Sequence, residues 1–469
     1  MINPIAVLVE DDLQQSEVSK GVLESARFDV RVFDSIAPAL EYLRASDELI
    51  DLFVLDRRLP VNAGEPATDE LGDELLKEIR ASHKDARLIV FTGYADVRHV
   101  QAALQGGGQL PMQSGQPIDR ITVLEKDQSI EFRLIVSEFR QLLQTLEDIE
   151  ISTSEGSHSL SYLDKRVLRR LAFEYHAVSI SVVSLGGGLT GASVWKCELA
   201  RQEGHIATIV AKRVKEFNPM GGLPDLMPRA NTTSTMATLS GLMGGNYISV
   251  LQIAGDSPRA LMTLLVEDPV KAVELACPVW TALHTVASQR QSLSIAEICK
   301  SLINWDEIAA RLDPYGIEVP AGTLNATTRI GIRHGDLHPG NLLVDNDQAV
   351  LIDFDSSTFA AGLLDPVTML ISTLVHPDSP IRGSCWPDTA EVTERFGTAD
   401  FGLGHGCEAW FQGVYKWIRE SRTSDREFWA LVLAYSARQL GYQDVLADPA
   451  VVDRVVAIAR RAADVLAAT

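Results

Sequence analysis

Two groups of residues in this sequence have the types and the spacing that phosphoryl chemistry requires. In the first group, Glu10 and Asp11 follow one short apolar run, and Asp56 follows another. Carboxylates that are brought together repel one another, and Mg²⁺, which prefers oxygen ligands, relieves that repulsion. Asp56 could then attack phosphorus as a carboxylate nucleophile. Thr92 and Lys126 lie at the ends of two later apolar runs, where a hydroxyl and an ammonium group would contact phosphoryl oxygens.

The second group lies in a polar stretch between apolar runs near residue 340. Asp336 and Asn341 are five residues apart in HGDLHPGN, and Asp353 follows the run VLI in VLIDFD. A base and two oxygen ligands for Mg²⁺ suit phosphoryl transfer to a hydroxyl, in which positioning and charge neutralisation supply most of the catalysis. We interpret His334 and His338 as residues that support the loop, because a single histidine is more often a hydrogen-bonded structural residue than a ligand.

Two weaker signals for nucleotide binding precede this second group. A glycine-rich segment between two strand-like runs contains Gly187, Gly188 and Gly191, and glycine allows a backbone to approach phosphates closely. Lys212 ends the apolar run ATIVAK and places a single ammonium group there. Taken alone, the glycines also fit an ordinary turn between strands, and Lys212 also fits a surface lysine at a strand end.

The elements that must position the first group alternate regularly between strands and helices. Apolar runs predict five buried strands, and residues with helical spacing predict five helices between and after them. The predicted strands are 5–9, 29–33, 52–55, 87–91 and 121–124, and the predicted helices are 13–26, 36–45, 70–82, 96–104 and 130–149. This alternation predicts an α/β fold with a doubly wound parallel sheet, whose active crevice lies at the carboxyl ends of the strands.

The rest of the chain predicts a linker and a second, two-lobed domain. We expect domain 1 at 1–150, a linker rich in Ser, Thr and Gly at 151–161, and domain 2 at 162–469. Domain 2 would have a strand-rich lobe to about residue 270 and a helical lobe after it. Its predicted strands are 182–185, 194–199, 205–214, 247–254 and 260–266, and helices are predicted at 232–243 and 451–466.

Composition excludes several classes of function. The formal net charge of −21 argues against binding to nucleic acid or to an anionic membrane, because both require clustered Lys and Arg. No apolar run is long enough for a membrane span, and the first residues lack an export signal. The five cysteines are widely spaced and odd in number, which favours reduced thiols over a disulfide framework or a zinc site. We therefore expect a cytoplasmic protein.

The N-terminal segments resemble the receiver domain of response regulators. The segments that carry the resemblance are VLVEDD, DLFVLDRRLP, LIVFTG and VLEK, in this order. The resemblance implies a flavodoxin-like fold and a cognate histidine kinase as partner, and a homodimer formed through the receiver stays open. It also implies roles for six residues, namely Asp56 as phosphoacceptor, Glu10, Asp11 and the carbonyl of Arg58 as Mg²⁺ ligands, and Thr92 and Lys126 as phosphate contacts. Val123 stands where this family usually has an aromatic residue, and Asp127 where it usually has proline.

The C-terminal segments resemble the aminoglycoside phosphotransferase and choline-kinase-like group, which has a protein-kinase-like fold. HGDLHPGN is similar to the catalytic loop of that group, IDFD to its metal-binding segment and LGGGLTGASVWKC to its nucleotide loop. The resemblance implies ATP as phosphodonor, Asp336 as catalytic base, Asn341 and Asp353 as Mg²⁺ ligands, and Lys212 on the ATP phosphates. Kinase-like folds usually pair this lysine with a helix glutamate, and residues 218–265 contain no Glu.

Three interpretations of the whole chain stay open at this point. The first is a response regulator whose phosphotransferase half acts on a hydroxyl of a small molecule or a protein. The second is a catalytically silent half that binds nucleotide or another ligand, and the third is a scaffold for protein interactions. In the first two, we expect the halves to be coupled through the helix predicted at 130–149, because that helix leads directly into the linker.

Overall fold

The chain forms two compact units that interleave along the sequence. The first consists of Met1–Phe217 and Thr235–Ile253, and the second of Asn218–Ser234 and Ala254–Thr469. The structure, a computed structural model, describes residues 3–92, 109–110, 118–153, 159–185, 193–215, 222–233, 235–252, 258–286 and 289–468. Within these residues, no helix combines the length and the apolar composition that crossing a membrane requires.

A five-stranded parallel sheet begins the first unit. Its strands are β1 (Ile5–Val9), β2 (Asp29–Phe33), β3 (Ile50–Asp56), β4 (Arg87–Thr92) and β7 (Ile121–Glu125), in the spatial order β2-β1-β3-β4-β7. Its helices are α1 (Leu13–Ser25), α2 (Ile36–Ala45), α3 (Asp69–Ser82) and α4 (Ser129–Glu147). Helices α1 and α4 pack on one face and α2 and α3 on the other, so β3 is buried along its whole length.

This architecture confirms the predicted doubly wound fold. Each of the five predicted strands is present, and the pairs are parallel throughout. Between β4 and β7, the short strands β5 (Gln109–Leu110) and β6 (Ile118–Asp119) form an antiparallel pair. The helix predicted at 96–104 lies outside the described residues.

A second sheet of six strands completes the first unit. Its strands are β8 (Glu150–Thr153), β9 (Ser179–Ser184), β10 (Val194–Arg201), β11 (Gly204–Val214), β12 (Thr235–Leu239) and β13 (Tyr247–Leu251), in the order β12-β13-β11-β10-β9-β8. The outer strand β8 runs parallel to β9 and occupies the first residues of the segment that we expected to be a linker. The second sheet therefore begins three residues after α4 ends.

One hydrophobic core joins the two sheets of the first unit. Helix α5 (Tyr162–Glu174) packs against α4, and its residues Leu168 and Leu171 are fully buried. The same core contains Phe139 of α4, Leu8 of β1 and Val250 of β13. A compact apolar cluster of this extent makes the two sheets one packed body.

The second unit is mainly helical and contains two small three-stranded sheets. Its longer helices are α8 (Pro269–Val286), α10 (Trp305–Leu312), α11 (Leu364–Val375), α13 (Glu408–Ser421), α14 (Asp425–Gln439) and α16 (Pro449–Ala468), and its shorter ones are α6 (Gly222–Leu226), α7 (Leu264–Glu267), α9 (Ile295–Cys299), α12 (Thr389–Arg395) and α15 (Gln443–Leu446). Its strands are β14 (Arg259–Ala260), β15 (Gln289–Ser294), β16 (Asn325–Arg333), β17 (Leu342–Asp345), β18 (Gln348–Leu351) and β19 (Thr358–Ala361).

Two predicted elements of domain 2 were wrong. The helix predicted at 232–243 is strand β12, because its threonines suit a pleated surface and β13 supplies the hydrogen-bonding partner. The strand predicted at 260–266 is mostly helical, with a 3₁₀ turn at Leu261–Thr263 followed by α7. A short continuous apolar run has no periodicity that distinguishes a buried strand from a buried helix.

Because the two sheets of the first unit share one core, we predict that a cavity made in α5 destabilises both sheets. Leu168→Ala should lower the free energy of unfolding by about 2–5 kcal/mol, because a buried leucine leaves both lost contacts and a cavity. Hydrogen exchange of the β1 and β3 amides should accelerate along with that of β11. Leu134→Ala is the matched control, because that leucine of α4 is 57% exposed, and it should change stability by about 0.5 kcal/mol or less. Acceleration confined to the second sheet would contradict a joint core.

Candidate functional site

Three carboxylates meet at the carboxyl end of the parallel sheet. Glu10 follows β1 and Asp56 is the last residue of β3, and these strands are neighbours. One oxygen from each of Glu10, Asp11 and Asp56 lies within 4.8 Å of the others. Glu10 and Asp56 are buried, whereas Asp11 is exposed. The sheet therefore brings together the three residues that the sequence predicts as magnesium ligands.

Lys126 neutralises part of this acidic cluster. It follows β7, and its Nζ donates hydrogen bonds to Asp56 Oδ2 at 2.7 Å and to Glu10 Oε1 at 2.9 Å. Burial by itself would lower the pKa of Lys126, but the hydrogen bonds and charges of Asp56 and Glu10 raise it above its ordinary value. The ammonium group is thus held as a cation beside the carboxylate that would carry a phosphoryl group.

The negative charge that Lys126 leaves uncompensated makes the cluster of Glu10, Asp11 and Asp56 suited to a divalent cation. Burial, followed by the charge of Asp56, raises the pKa of Glu10 to about 7. The same two causes raise the pKa of Asp11. Three crowded carboxylates that share one ammonium group retain excess negative charge, and oxygen ligands of this kind suit Mg²⁺. Glu10, Asp11 and Asp56 would hold that ion.

Other predicted residues surround Asp56 at the same edge. Thr92 is the last residue of β4, the neighbouring strand, and the structure does not describe its side chain. The backbone N–H of Arg58 donates to Asp56 Oδ1 at 3.2 Å. Arg58, whose carbonyl is a predicted Mg²⁺ ligand, thus lies beside Asp56 in the loop that follows β3. Val123 lies within β7 and is partly buried, packed against the core on the side of α2 and α3.

In the second unit, a buried carboxylate fixes the loop between β16 and β17. Asp365, in the first turn of α11, accepts hydrogen bonds from the backbone N–H groups of His334 and Gly335, both at 3.0 Å. Gly335 has a φ of 84°, and a Cβ there would lie 2.2 Å from the carbonyl oxygen of Ser356. Only glycine fits this position. His334 Nε2 lies 2.8 Å from the carbonyl oxygen of Ile352 and links the loop to the residue before Asp353.

The loop brings the predicted base and metal ligands together. Asn341 is buried, and its Nδ2 donates to the carbonyl oxygen of Asp336 at 2.8 Å. Asp353, which follows β18, has a φ of 63°, a conformation that non-glycine residues rarely adopt and that is common at functional sites. Burial raises the pKa of Asp336, and the negative charge of Asp353 contributes to this increase. The carboxylate of Asp353 and the amide oxygen of Asn341 are ligands that Mg²⁺ prefers.

Several residues whose charges act on Asp336 were not predicted from the sequence. The positive charge of Arg438 in α14 opposes the increase in the pKa of Asp336, and Arg438 Nε donates to Tyr442 Oη at 2.9 Å. The ring of His376 stacks on that of His338 with a centroid separation of 4.3 Å. Burial lowers the pKa of His338 to about 3, so this imidazole is neutral near pH 7. His376 and Arg438 belong to no local motif, so the sequence gives no signal for them.

Of the predicted nucleotide-binding residues, the structure describes Lys212, which lies in the first unit. Lys212 is buried in β11, where it pairs with Val194 of β10 and Ser249 of β13. The predicted position at the end of a strand is therefore right, but the side chain is not on the surface. Gly187, Gly188 and Gly191 lie outside the described residues.

Comparisons with protein families agree with the two sites. Residues 6–110 match the model of the response regulator receiver domain, and residues 278–402 match that of the phosphotransferase enzyme family. The chain joins a receiver domain to a phosphotransferase-family domain. The first match contains Glu10, Asp11 and Asp56, and the second contains the loop with Asp336 and Asn341. No curated protein matches the chain significantly.

Several solved structures are similar to parts of the chain. A CheY-like receiver domain from Methanospirillum hungatei is 18% identical, covers 30% of this chain and 98% of its own, and has a TM-score of 0.21. A response regulator from Thermotoga maritima is 20% identical, covers 29% and 98%, and has a TM-score of 0.21. An amicoumacin kinase in complex with AMP-PNP, Ca²⁺ and its ligand is 13% identical, covers 60% and 88%, and has a TM-score of 0.32.

The raised pKa of Glu10 predicts that Mg²⁺ binds the receiver domain more tightly as the pH rises. A carboxylate ligand must lose its proton before it binds metal, so the apparent affinity should increase until the pH passes about 7 and then level off. Below that pH, the increase should approach about tenfold per pH unit. Titration of the full chain with Mg²⁺ at several pH values, followed by calorimetry, measures this profile.

Glu10→Gln should flatten the profile and weaken binding above pH 7, whereas Glu17→Gln, at an exposed position of α1, should change neither. Without Mg²⁺, folded Glu10 keeps a proton that the unfolded chain loses near pH 4.5, so the free energy of unfolding should fall as the pH rises from 4.5 to about 7. Equal pH profiles for the parent chain and Glu10→Gln would contradict this account.

Proposed function

We propose that this protein is a response regulator whose phosphotransferase domain, under receiver control, transfers the γ-phosphoryl group of ATP to a hydroxyl. The observation that carries the proposal is the loop at 334–341, in which Asn341 Nδ2 donates to the main-chain carbonyl oxygen of Asp336 and the charge of Asp353 acts on the Asp336 carboxylate. A base and two magnesium ligands in one place suit phosphoryl transfer. The acidic cluster around Asp56 supports the proposal that phosphorylation of the receiver controls this activity.

In the receiver domain, Asp56 would act as the nucleophile. One carboxylate oxygen forms a bond to phosphorus, and the bond from phosphorus to the leaving group of a phosphohistidine or small phosphodonor breaks. Mg²⁺ would supply charge neutralisation for the phosphoryl oxygens. Lys126, already within 2.7 Å of Asp56, would exchange its contact with the carboxylate for one with the new phosphoryl group.

In the phosphotransferase domain, Asp336 would orient the acceptor hydroxyl and take its proton. Burial raises the pKa of Asp336, which makes it a stronger base than a solvated aspartate, and the positive charge of Arg438 opposes that increase. Asn341 and Asp353 would hold Mg²⁺ on the ATP phosphates. The resemblance to the phosphotransferase group also implies a contact of Lys212 with ATP phosphates. Asp365 holds the loop in place through backbone hydrogen bonds.

The second unit also contains a cavity that suits a small acceptor. Its volume is about 400 Å³, and its lining includes Lys300, Glu307, Arg311, Arg438 and Tyr442. Arg438 lines this cavity, and its positive charge also acts on the carboxylate of Asp336, the proposed base. We therefore propose this cavity for the part of the acceptor that lies away from the reacting hydroxyl.

A second candidate function is nucleotide binding without transfer. It is favoured by the absence of glutamate from residues 218–265, since kinase-like folds usually supply a glutamate for the strand lysine from that region. Single-turnover assays with labelled ATP and extracts of small molecules distinguish the two functions. A chain that binds MgATP but never forms ADP with any acceptor or with water would favour this second function.

We predict that acetyl phosphate and Mg²⁺ label the protein with one acyl phosphate, on Asp56. Asp56→Asn should abolish labelling without unfolding the chain, because the amide has nearly the same shape and lacks the nucleophilic oxygen. The control is Asp47→Asn, an exposed aspartate in the loop before β3, which should be labelled like the parent chain. Mass spectrometry locates the phosphate, and undiminished labelling of Asp56→Asn would place the acceptor elsewhere.

We also predict that the two aspartates of the phosphotransferase domain differ in their effect on ATP binding. Asp353→Ala should weaken MgATP binding at least tenfold, whereas Asp336→Ala should change it by about threefold or less, because Asp336 would contact the acceptor instead. Asp400→Ala, at an exposed position, is the control. Calorimetry of the full chain with and without Mg²⁺ measures these affinities. Equal weakening by both substitutions, or binding that needs no Mg²⁺, would contradict the assigned roles.

A further inference from the structure

A buried ion pair links the receiver sheet to helix α5 of the second sheet. Arg166 Nη1 donates to Asp51 Oδ1 at 2.7 Å, and Nη2 donates to Oδ2 at 3.4 Å. Asp51 is 4% exposed and Arg166 is 3% exposed. Tyr162 Oη accepts a further hydrogen bond from Arg166 at 3.1 Å. Because separation of the pair would leave buried charges uncompensated, the pair favours contact between the two elements that carry it.

Asp51 and the phosphoacceptor lie on the same strand. Asp51 is the second residue of β3 and Asp56 is the last, about 17 Å away along an extended strand. The pairing of β1 with β3 shifts register at Asp51, so this residue occupies a β-bulge. Bulges redirect side chains, and this one holds the Asp51 carboxylate in the contact with α5. Strand β3 thus spans the distance between the phosphorylation site and the ion pair.

Helix α5 also contacts β11, the strand that contains Lys212. Arg213 Nη1 donates to Asp164 Oδ1 at 2.7 Å. Asp164 lies two residues before Arg166 in α5, and Arg213 is the residue after Lys212 in β11. Side chains of one helix turn therefore contact the receiver strand through Arg166 and the lysine strand through Asp164.

A second contact holds the turn that precedes β13, a strand that pairs with β11 at Lys212. Asp85, two residues before β4, accepts hydrogen bonds from the backbone N–H groups of Met243 at 2.6 Å and Gly245 at 2.8 Å. A Cβ on Gly244 would lie 2.9 Å from a methyl group of Leu49, which precedes β3. This turn connects β12 to β13, and Ser249 of β13 pairs with Lys212.

We propose that the receiver domain positions β11, the strand that contains Lys212, through the ion pairs of α5 and the hydrogen bonds of Asp85. Phosphorylation of Asp56 shifts these contacts and thereby regulates nucleotide binding. The nucleotide part of this inference rests on the proposed function, in which Lys212 contacts ATP phosphates. Asp51, Asp85, Asp164 and Arg166 are positioning residues, since none of them would contact nucleotide. The receiver thereby controls the position of the lysine from within the packed core of the first unit.

This route differs from the one that helix order alone suggests. Helix α4 leads into β8, and β8 is the outer strand of the sheet, separated from β11 by β9 and β10. The contacts of Asp164 and of the turn at 242–245 instead involve β11 and the end of the connection to β13. The shorter physical connection to Lys212 therefore starts at the amino ends of β3 and β4.

The test measures amide hydrogen exchange in the full chain without nucleotide, with and without beryllofluoride and Mg²⁺ as the phosphate mimic. We expect the mimic to change exchange of β11 and β13 amides at least threefold in the parent chain. Asp164→Asn and Arg166→Gln should reduce this response to less than 1.5-fold. Arg170→Gln is the matched control, because this buried arginine of α5 pairs with Glu174 and not with the receiver. It should retain the response.

An unchanged β11 in the parent chain, or a full response in Asp164→Asn, would overturn the proposal. If Arg166→Gln fails to fold, Asp164→Asn decides, because the Asp164 side chain is closer to solvent and its loss leaves the buried pair intact. A parallel calorimetric titration should give a MgATP affinity that the mimic changes about fivefold in the parent chain and leaves unchanged in Asp164→Asn. Absence of ATP binding in all variants would contradict the proposed function, whereas the exchange response would still decide the positioning role.

Discussion

Buried carboxylates must be compensated, and this constraint determines much of the geometry of the protein. A carboxylate removed from water is stable only when hydrogen-bond donors or cations replace its hydration. Asp365 obtains two backbone N–H groups, and Asp85 obtains two more from another turn. Asp51 obtains a guanidinium group, and Glu10 shares the ammonium group of Lys126 with Asp56. Each solution fixes a loop or a strand that carries a proposed function.

The kind of compensation corresponds to the kind of task. Backbone donors are rigid, so the carboxylate of Asp365 holds the loop at 334–335 in one conformation. The ammonium group of Lys126 is attached to a flexible side chain and can exchange one partner for another. A catalytic loop benefits from a fixed geometry, whereas a site that gains a phosphoryl group needs a cation that can move toward it. The two domains thus use the same constraint for positioning in one case and for response in the other.

The sequence predicted the receiver fold and its acidic cluster well because both depend on local patterns. Strand ends in a doubly wound sheet meet at one edge, so the placement of Glu10 and Asp56 follows from the order of the strands. The loop at 334–341 was equally visible, since spacing within one loop determines which residues meet. The contacts of Asp51, Asp164 and Arg438 could not be predicted, because their partners lie far away in the sequence. The strand at 235–239 was missed because its partner β13, and not its own spacing, determines its conformation.

The core shared by α4 and α5 has a consequence for how such a protein can arise and be rearranged. An exchange of the receiver domain alone would cut the chain at the end of its last helix. Here that cut, after Glu147, would leave β8 with its sheet but would expose the face of α4 that packs on α5. The unit of exchange consistent with this core is the whole of the first compact unit, whose chain is interrupted by residues 218–234. Hybrids built with a foreign receiver should therefore require adaptation of the face of α5 that packs on α4.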